Sequence, residues 1–199
     1  MTARQVHPIE RESYRRLRAR ADTSQLPPLT RAVAERVVHS SADLAYLDDL
    51  VIAEEAVLRA AADALAAGAP LVADVQMVAA GITTRRALCR LGDAKGDPAT
   101  GLTRSAAAVR LALEEVGHGA VWVIGCAPTA LEELLLLDAR PALVIGLPVG
   151  FVGAAESKAA LRASGLPAVS NISEKGGSAV AAAAANALLY PDLYEEPLS

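Results

Sequence analysis

The stretch AVWVIGCAPTALEELLLLDARPALVIGLPVGFVG, residues 120–153, decides the fold class. It opens on an apolar run, Ala120–Ile124, without polar alternation, as strands covered on both faces read. A helical stretch follows at Thr129–Leu137, and a second apolar run at Ala142–Ile145 closes the unit. Strand, helix, strand at this spacing predicts a parallel pair joined by a crossover helix.

The same alternation extends in both directions. Pro70–Val75 and Pro167–Ile172 read as further strands, and helices are expected at Thr103–Val116, Gly153–Ala163 and Gly177–Leu189. A weaker strand at Ala87–Leu91 borders the polar loop GDAKGDPATG. The first third reads as helix instead: Ile9–Ala21, ended by Asp22–Pro28, then Leu29–His39 and Glu54–Ala67, with Gly68 as a C-terminal stop. The prediction is one α/β domain over residues 1–199, a three-layer α/β/α sandwich on a mainly parallel sheet with a helical N-terminal third. The tail PDLYEEPLS reads as frayed.

Composition narrows the function classes. The chain is 53% hydrophobic but only 3% aromatic, and its net charge is −4. A nucleic-acid module needs basic clusters and stacking aromatics, and neither is present. No apolar run approaches the roughly 20 residues of a membrane helix. The opening MTARQVHPIERESYRRLRAR has no apolar core for a signal peptide, so a cytoplasmic location is expected. Cys89 and Cys126 fit neither a redox pair nor a metal spacing, and three scattered histidines add no metal constellation.

Three consecutive βα junctions are rich in glycine and proline: IGCAPTA, IGLPVGFVGAAESK and ISEKGGSAV. Ligands of open parallel sheets sit beyond the carboxyl ends of the strands, where glycines admit them and helix N-termini favour anions. Arg104, Lys158 and Lys175 lie close to these loops, so the expected ligand carries several carboxylates or phosphates. The competing reading is that the glycines only shape tight turns. No nucleophile elbow, dinucleotide fingerprint or phosphate loop is found. These features suggest an enzyme without a cofactor, working by proton transfer.

Among the histidines, His39 in RVVHSSAD ends an amphipathic helix, where the helix dipole favours the imidazolium. A capping or buried histidine is the plain alternative. His7 and His118 read as solvated turn residues, and Asp43, Asp48 and Asp49 as a solvated helix start.

Taken in order, RVVHSSAD, ADVQMVAAGIT (73–83), TRSAAA (103–108), IGCAPTAL (124–131), LPVGFVGAAESK (147–158) and KGGSAVAAAAANALL (175–189) resemble the precorrin-8X methylmutase family. The resemblance spans nearly the whole chain. It implies a homodimer with active sites shared between subunits, and migration of a methyl group from C-11 to C-12 of a tetrapyrrole macrocycle. The product would be hydrogenobyrinic acid, or cobyrinic acid where the substrate itself carries cobalt. Carried over by motif, His39 is the catalytic residue, and Ser13, Thr83, Arg104 and Lys158 are substrate-binding. Cys126 stands where the family commonly has asparagine, a position that either bonds substrate, where a thiol is a poor replacement, or only shapes the turn. The alternatives are a non-catalytic tetrapyrrole carrier and a different isomerase or lyase acting on a polycarboxylate.

Overall fold

A computed structural model describes residues 7–190. The frayed-tail expectation for residues 191–199 lies outside the described residues. The helical first third holds α1 (Pro8–Arg18), α2 (Pro28–Ser41), the single turn α3 (Tyr46–Asp49) and α4 (Glu55–Ala66). A short strand, β1 (Leu50–Ile52), was not legible: three residues flanked by acidic and alanine-rich segments carry no strand signal of their own. Then come β2 (Leu71–Ala73), α5 (Gln76–Gly81), α6 (Arg104–Val116), β3 (Val121–Ile124), α7 (Pro128–Leu136), β4 (Leu143–Gly146), α8 (Ala154–Ala163), β5 (Ala168–Asn171) and α9 (Ser178–Leu189).

The sheet order is β1-β5-β4-β3-β2, parallel throughout except for β1 at the edge, which runs antiparallel to β5. The expected strand at Ala87–Leu91 shrinks to one parallel bridge, Leu88 to Val72, beside the free edge of β2. Alternate strand residues feed two cores. Val121, Val123, Leu143, Ile145 and Val169 face α2, α4, α5 and α9, whereas Val72, Trp122, Ile124 and Val144 face α6, α7 and α8. That is the three-layer sandwich.

The alanine content has a packing reason. Residues Val180–Leu188 of α9 are all buried, because this helix lies on β3 and β4 and is flanked by α2, α4 and α5. Small side chains let the backbones close in. A methyl group added at Gly125, just past β3, would stand 2.7 Å from the Ala181 Cβ and 3.1 Å from the Ser178 Cα. Gly176 is tighter still, with positive φ and the carbonyls of Leu147 and Pro148 where a side chain would go. It locks the β5–α9 loop onto the β4–α8 loop at the carboxyl end of the sheet.

Candidate active site

The C-terminal turn of α2 delivers His39 to the carboxyl end of the sheet. The Ser40 and Ser41 hydroxyls both donate to the Val37 carbonyl (2.9 Å each), and Ala42 takes a left-handed conformation that stops the helix. The chain then runs through Asp43 into α3 and β1. Asp43 pairs with Lys175 of the β5–α9 loop at 2.6 Å. Asp49 accepts hydrogen bonds from the Asn171 amide, the Ile172 and Ser173 N–H groups and the Ser173 hydroxyl, at 2.7–3.1 Å. These two carboxylates are therefore ties between the helical third and the strand-end loops, not the solvated helix start expected. Their partners lie more than 120 residues away, which local sequence does not reveal.

Around His39 the first helix supplies two consecutive residues. Ser13 Oγ shares a hydrogen bond of 2.7 Å with His39 Nδ1. The buried Tyr14 ring stacks on the imidazole at 4.9 Å with a 14° interplanar angle. Nδ1 is engaged and one ring face is covered, so Nε2 is the nitrogen left for a ligand. Burial holds the His39 pKa below the usual histidine value; Glu10 pulls it up and Arg36 pushes it down. Desolvation thus outweighs the helix-end preference for the charged form expected from sequence.

The imidazole opens into a cleft of about 180 Å³ lined by Ser13, Arg16, Leu17, Arg20, Val38, His39, Ala42 and Leu44. Leu17 and Val38 form an apolar floor, and two arginines stand on the α1 side. Arg16 and Arg20 were absent from the sequence reading, although their spacing from Ser13 puts all three on one helical face.

The other expected site residues are placed as follows. Thr83 is exposed just beyond α5; its N–H donates to the Asn186 side chain (3.3 Å) and its hydroxyl pairs with the Tyr190 hydroxyl (2.6 Å). The Tyr190 ring lies under the Arg36 guanidinium at 5.6 Å, one turn before His39 on α2, so Thr83 is coupled to the same helix. Arg104 is the exposed first residue of α6, in the opposite helix layer from α2. Lys158 does not face a cleft. Its side chain is fully buried, and its ammonium donates to Asn171 Oδ1 (2.8 Å) and the Lys175 carbonyl (2.5 Å). Burial pushes its pKa down to about 8. It props the β5–α9 loop from below.

At the far end of the sheet mouth, buried Asp74 follows β2 and accepts from the Gly125, Cys126 and Ala127 N–H groups at 3.0, 2.8 and 3.0 Å. Burial raises its pKa despite those three donors. The β3–α7 turn is held by the backbone of Cys126, and its thiol is not one of those donors. His118 is exposed in its turn, and His7 caps α1 by accepting from the Ile9 N–H at 3.2 Å.

Comparison with known proteins gives a consistent result. A family model described as precorrin-8X methylmutase matches residues 8–191. A precorrin-8X methylmutase of Pseudomonas aeruginosa is 44% identical over 195 residues, covering 90% of this chain and 93% of that protein. A cobalt-precorrin-8 methylmutase of Salmonella typhimurium is 41% identical, covering 86% of each. Among solved structures, a precorrin-8X methylmutase from Thermus thermophilus superposes with a TM-score of 0.80 at 33% identity, over 92% of this chain and 96% of that one.

Proposed function

Because the chain belongs to the precorrin-8X methylmutase family, an isomerase family of cobalamin biosynthesis, we propose that it moves the methyl group with His39 as proton donor. The observation that carries the reading is the His39 ring itself: Nδ1 held by Ser13, one face held by Tyr14, and the cleft ahead.

In the imidazolium, Nδ1–H donates to Ser13 Oγ and Nε2–H points to the ligand. Protonation of the conjugated ring system near the migrating methyl lowers the barrier to its shift from C-11 to C-12. Substrate and product contain the same atoms, so the proton must leave again, and neutral imidazole is a base able to take it back. The step is redox-neutral and intramolecular; it calls for no cofactor of the protein's own, and cobalt, where present, arrives with the substrate. Relatives named for the metal-free and for the cobalt-containing substrate are similarly close, at 44% and 41% identity.

The pH profile tests this reading. The acid form is required, so activity is present below the His39 pKa and lost as pH rises through it. In the free protein burial holds that pKa below the usual histidine value, so kcat/KM for precorrin-8X should fall as pH rises, with a midpoint lower than that of an ordinary histidine. The bound substrate brings carboxylates that stabilise the imidazolium, so the corresponding fall in kcat should lie at higher pH. Steady-state rates followed by the change in visible absorption check both; a flat profile would remove the acid role.

The reading extends to a homodimer in the cytoplasm. A cleft of about 180 Å³ is small beside the roughly 300–1,000 Å³ of most ligand pockets, so a macrocycle needs further walls. Arg104 and His39 come from opposite helix layers. Phe151 and Val152, 95% and 87% exposed on the β4–α8 loop, offer an apolar contact for a second copy. Sedimentation at micromolar concentration should therefore give a dimer mass, and Phe151→Asp should shift it toward monomer. Among the described residues no helix is long and apolar enough to cross a membrane.

A further inference from the structure

We infer that Arg20, with Arg16 beside it, forms a carboxylate-binding wall of the His39 cleft and helps to decide which ring substituents this protein accepts. The inference rests on the tetrapyrrole reading and adds two residues that the motif carry-over does not contain.

Ser13, Arg16, Leu17 and Arg20 follow one another at helical spacing and line the same cleft as His39. Arg20 lies just past the end of α1 and still follows its path, its N–H bonded to the Leu17 carbonyl at 2.9 Å. Among the described residues no acidic side chain lines this cleft, although the chain as a whole is acidic, at −4. Among the described residues, Arg20 has no carboxylate partner: Glu12 is taken by Arg15 and Arg16, and Glu35 by Arg18 and Arg31. Arg16 bonds Glu12 at 2.8 Å, but the two side chains are 70% and 42% exposed, and such a surface pair is readily exchanged for another carboxylate.

The remaining lining is apolar, with Leu17, Val38, Ala42 and Leu44 below. Greasy floor and guanidinium wall match a flat ring edged with carboxylate arms. A guanidinium grips a carboxylate through two parallel N–H bonds, which an ammonium cannot imitate. The wall therefore selects for free carboxylates over their neutral amides at the ring edge nearest His39.

Two probes separate the possibilities: hydrogenobyrinic acid, and its amidated analogue in which the ring carboxylates are neutral. Binding to full-length protein is read by visible absorption, and thermal unfolding is followed in parallel. Arg20→Gln should weaken acid binding about tenfold, and Arg16→Gln with Arg20→Gln further, with no change in melting temperature. Arg20→Lys should recover only part of the loss. The amidated analogue should bind wild type more weakly and be indifferent to the substitutions. Unchanged acid affinity in the double variant, or equal losses for acid and amide, would overturn the assignment. If wild type bound neither probe, the tetrapyrrole reading itself would fail and this inference with it.

Discussion

Replacing His39 with alanine should reduce turnover of precorrin-8X by about 10² to 10⁴-fold, the range general acid catalysis contributes, while product binding and the fold survive. The imidazole is only half-buried, at the end of α2, and its loss leaves Ser13 Oγ beside an open cleft that water can enter. Stability therefore changes little, whereas the cleft loses its imidazole, the one side chain among its described lining residues suited to giving and taking back a proton. The floor of Leu17 and Val38 and the arginine wall are untouched, so hydrogenobyrinic acid should still form a coloured complex with the variant. Ordinary turnover in His39→Ala would remove the residue from the mechanism. Loss of binding together with turnover would make it a ligand contact only.

The largest loss of stability is expected at Asp74, away from the chemistry. Its carboxyl, 3% exposed, is the acceptor for three successive N–H groups of the β3–α7 turn. Asp74→Ala leaves all three donors unsatisfied at a cost of about 1–3 kcal/mol apiece. Solvent reaches the Cys126 end of the turn and relieves part of that, so a net loss of roughly 3–5 kcal/mol is expected. Asp74→Asn keeps one acceptor oxygen but turns an N–H₂ toward the remaining donors, so it should recover only a fraction. Urea unfolding measures both. A change below about 1 kcal/mol for the alanine variant would mean that the turn holds its own shape.

What the sequence made legible follows from the range of the interactions involved. The parallel core strands were readable because each is a continuous apolar run between turn residues, and burial on both faces leaves no other pattern. The major helices were readable from periodicity and from flanking glycine and proline. β1 was not, since it exists only through its pairing with β5 and through Asp49 reaching the Asn171–Ser173 turn. Nor did local reasoning place Lys158. A lysine in a glycine-rich strand-end motif looks like an anion ligand, and only the tertiary structure shows its ammonium turned inward to Asn171 and the Lys175 carbonyl.

The candidate site divides in the same way. His39 and Ser13 came from motif resemblance, and the structure joins them at 2.7 Å across a gap of 26 residues. Tyr14 was adjacent to a named residue yet unremarked, because nothing in ERESYRRLR says that its ring will lie on an imidazole. Arg16 and Arg20 were missed for a different reason. In so arginine-rich a helix, charge alone marks no residue as special, and only the cleft singles out the face they share with Ser13.

The proposed role of His39 is to give up the proton that starts the methyl shift. Its most direct test is the single-turnover rate of precorrin-8X conversion across pH 5 to 9, for wild type and for the residual activity of His39→Ala. With His39 as the proton donor, the wild-type rate falls with rising pH and that fall is absent from the variant. The same fall in both proteins would contradict it, since another group would then be supplying the proton.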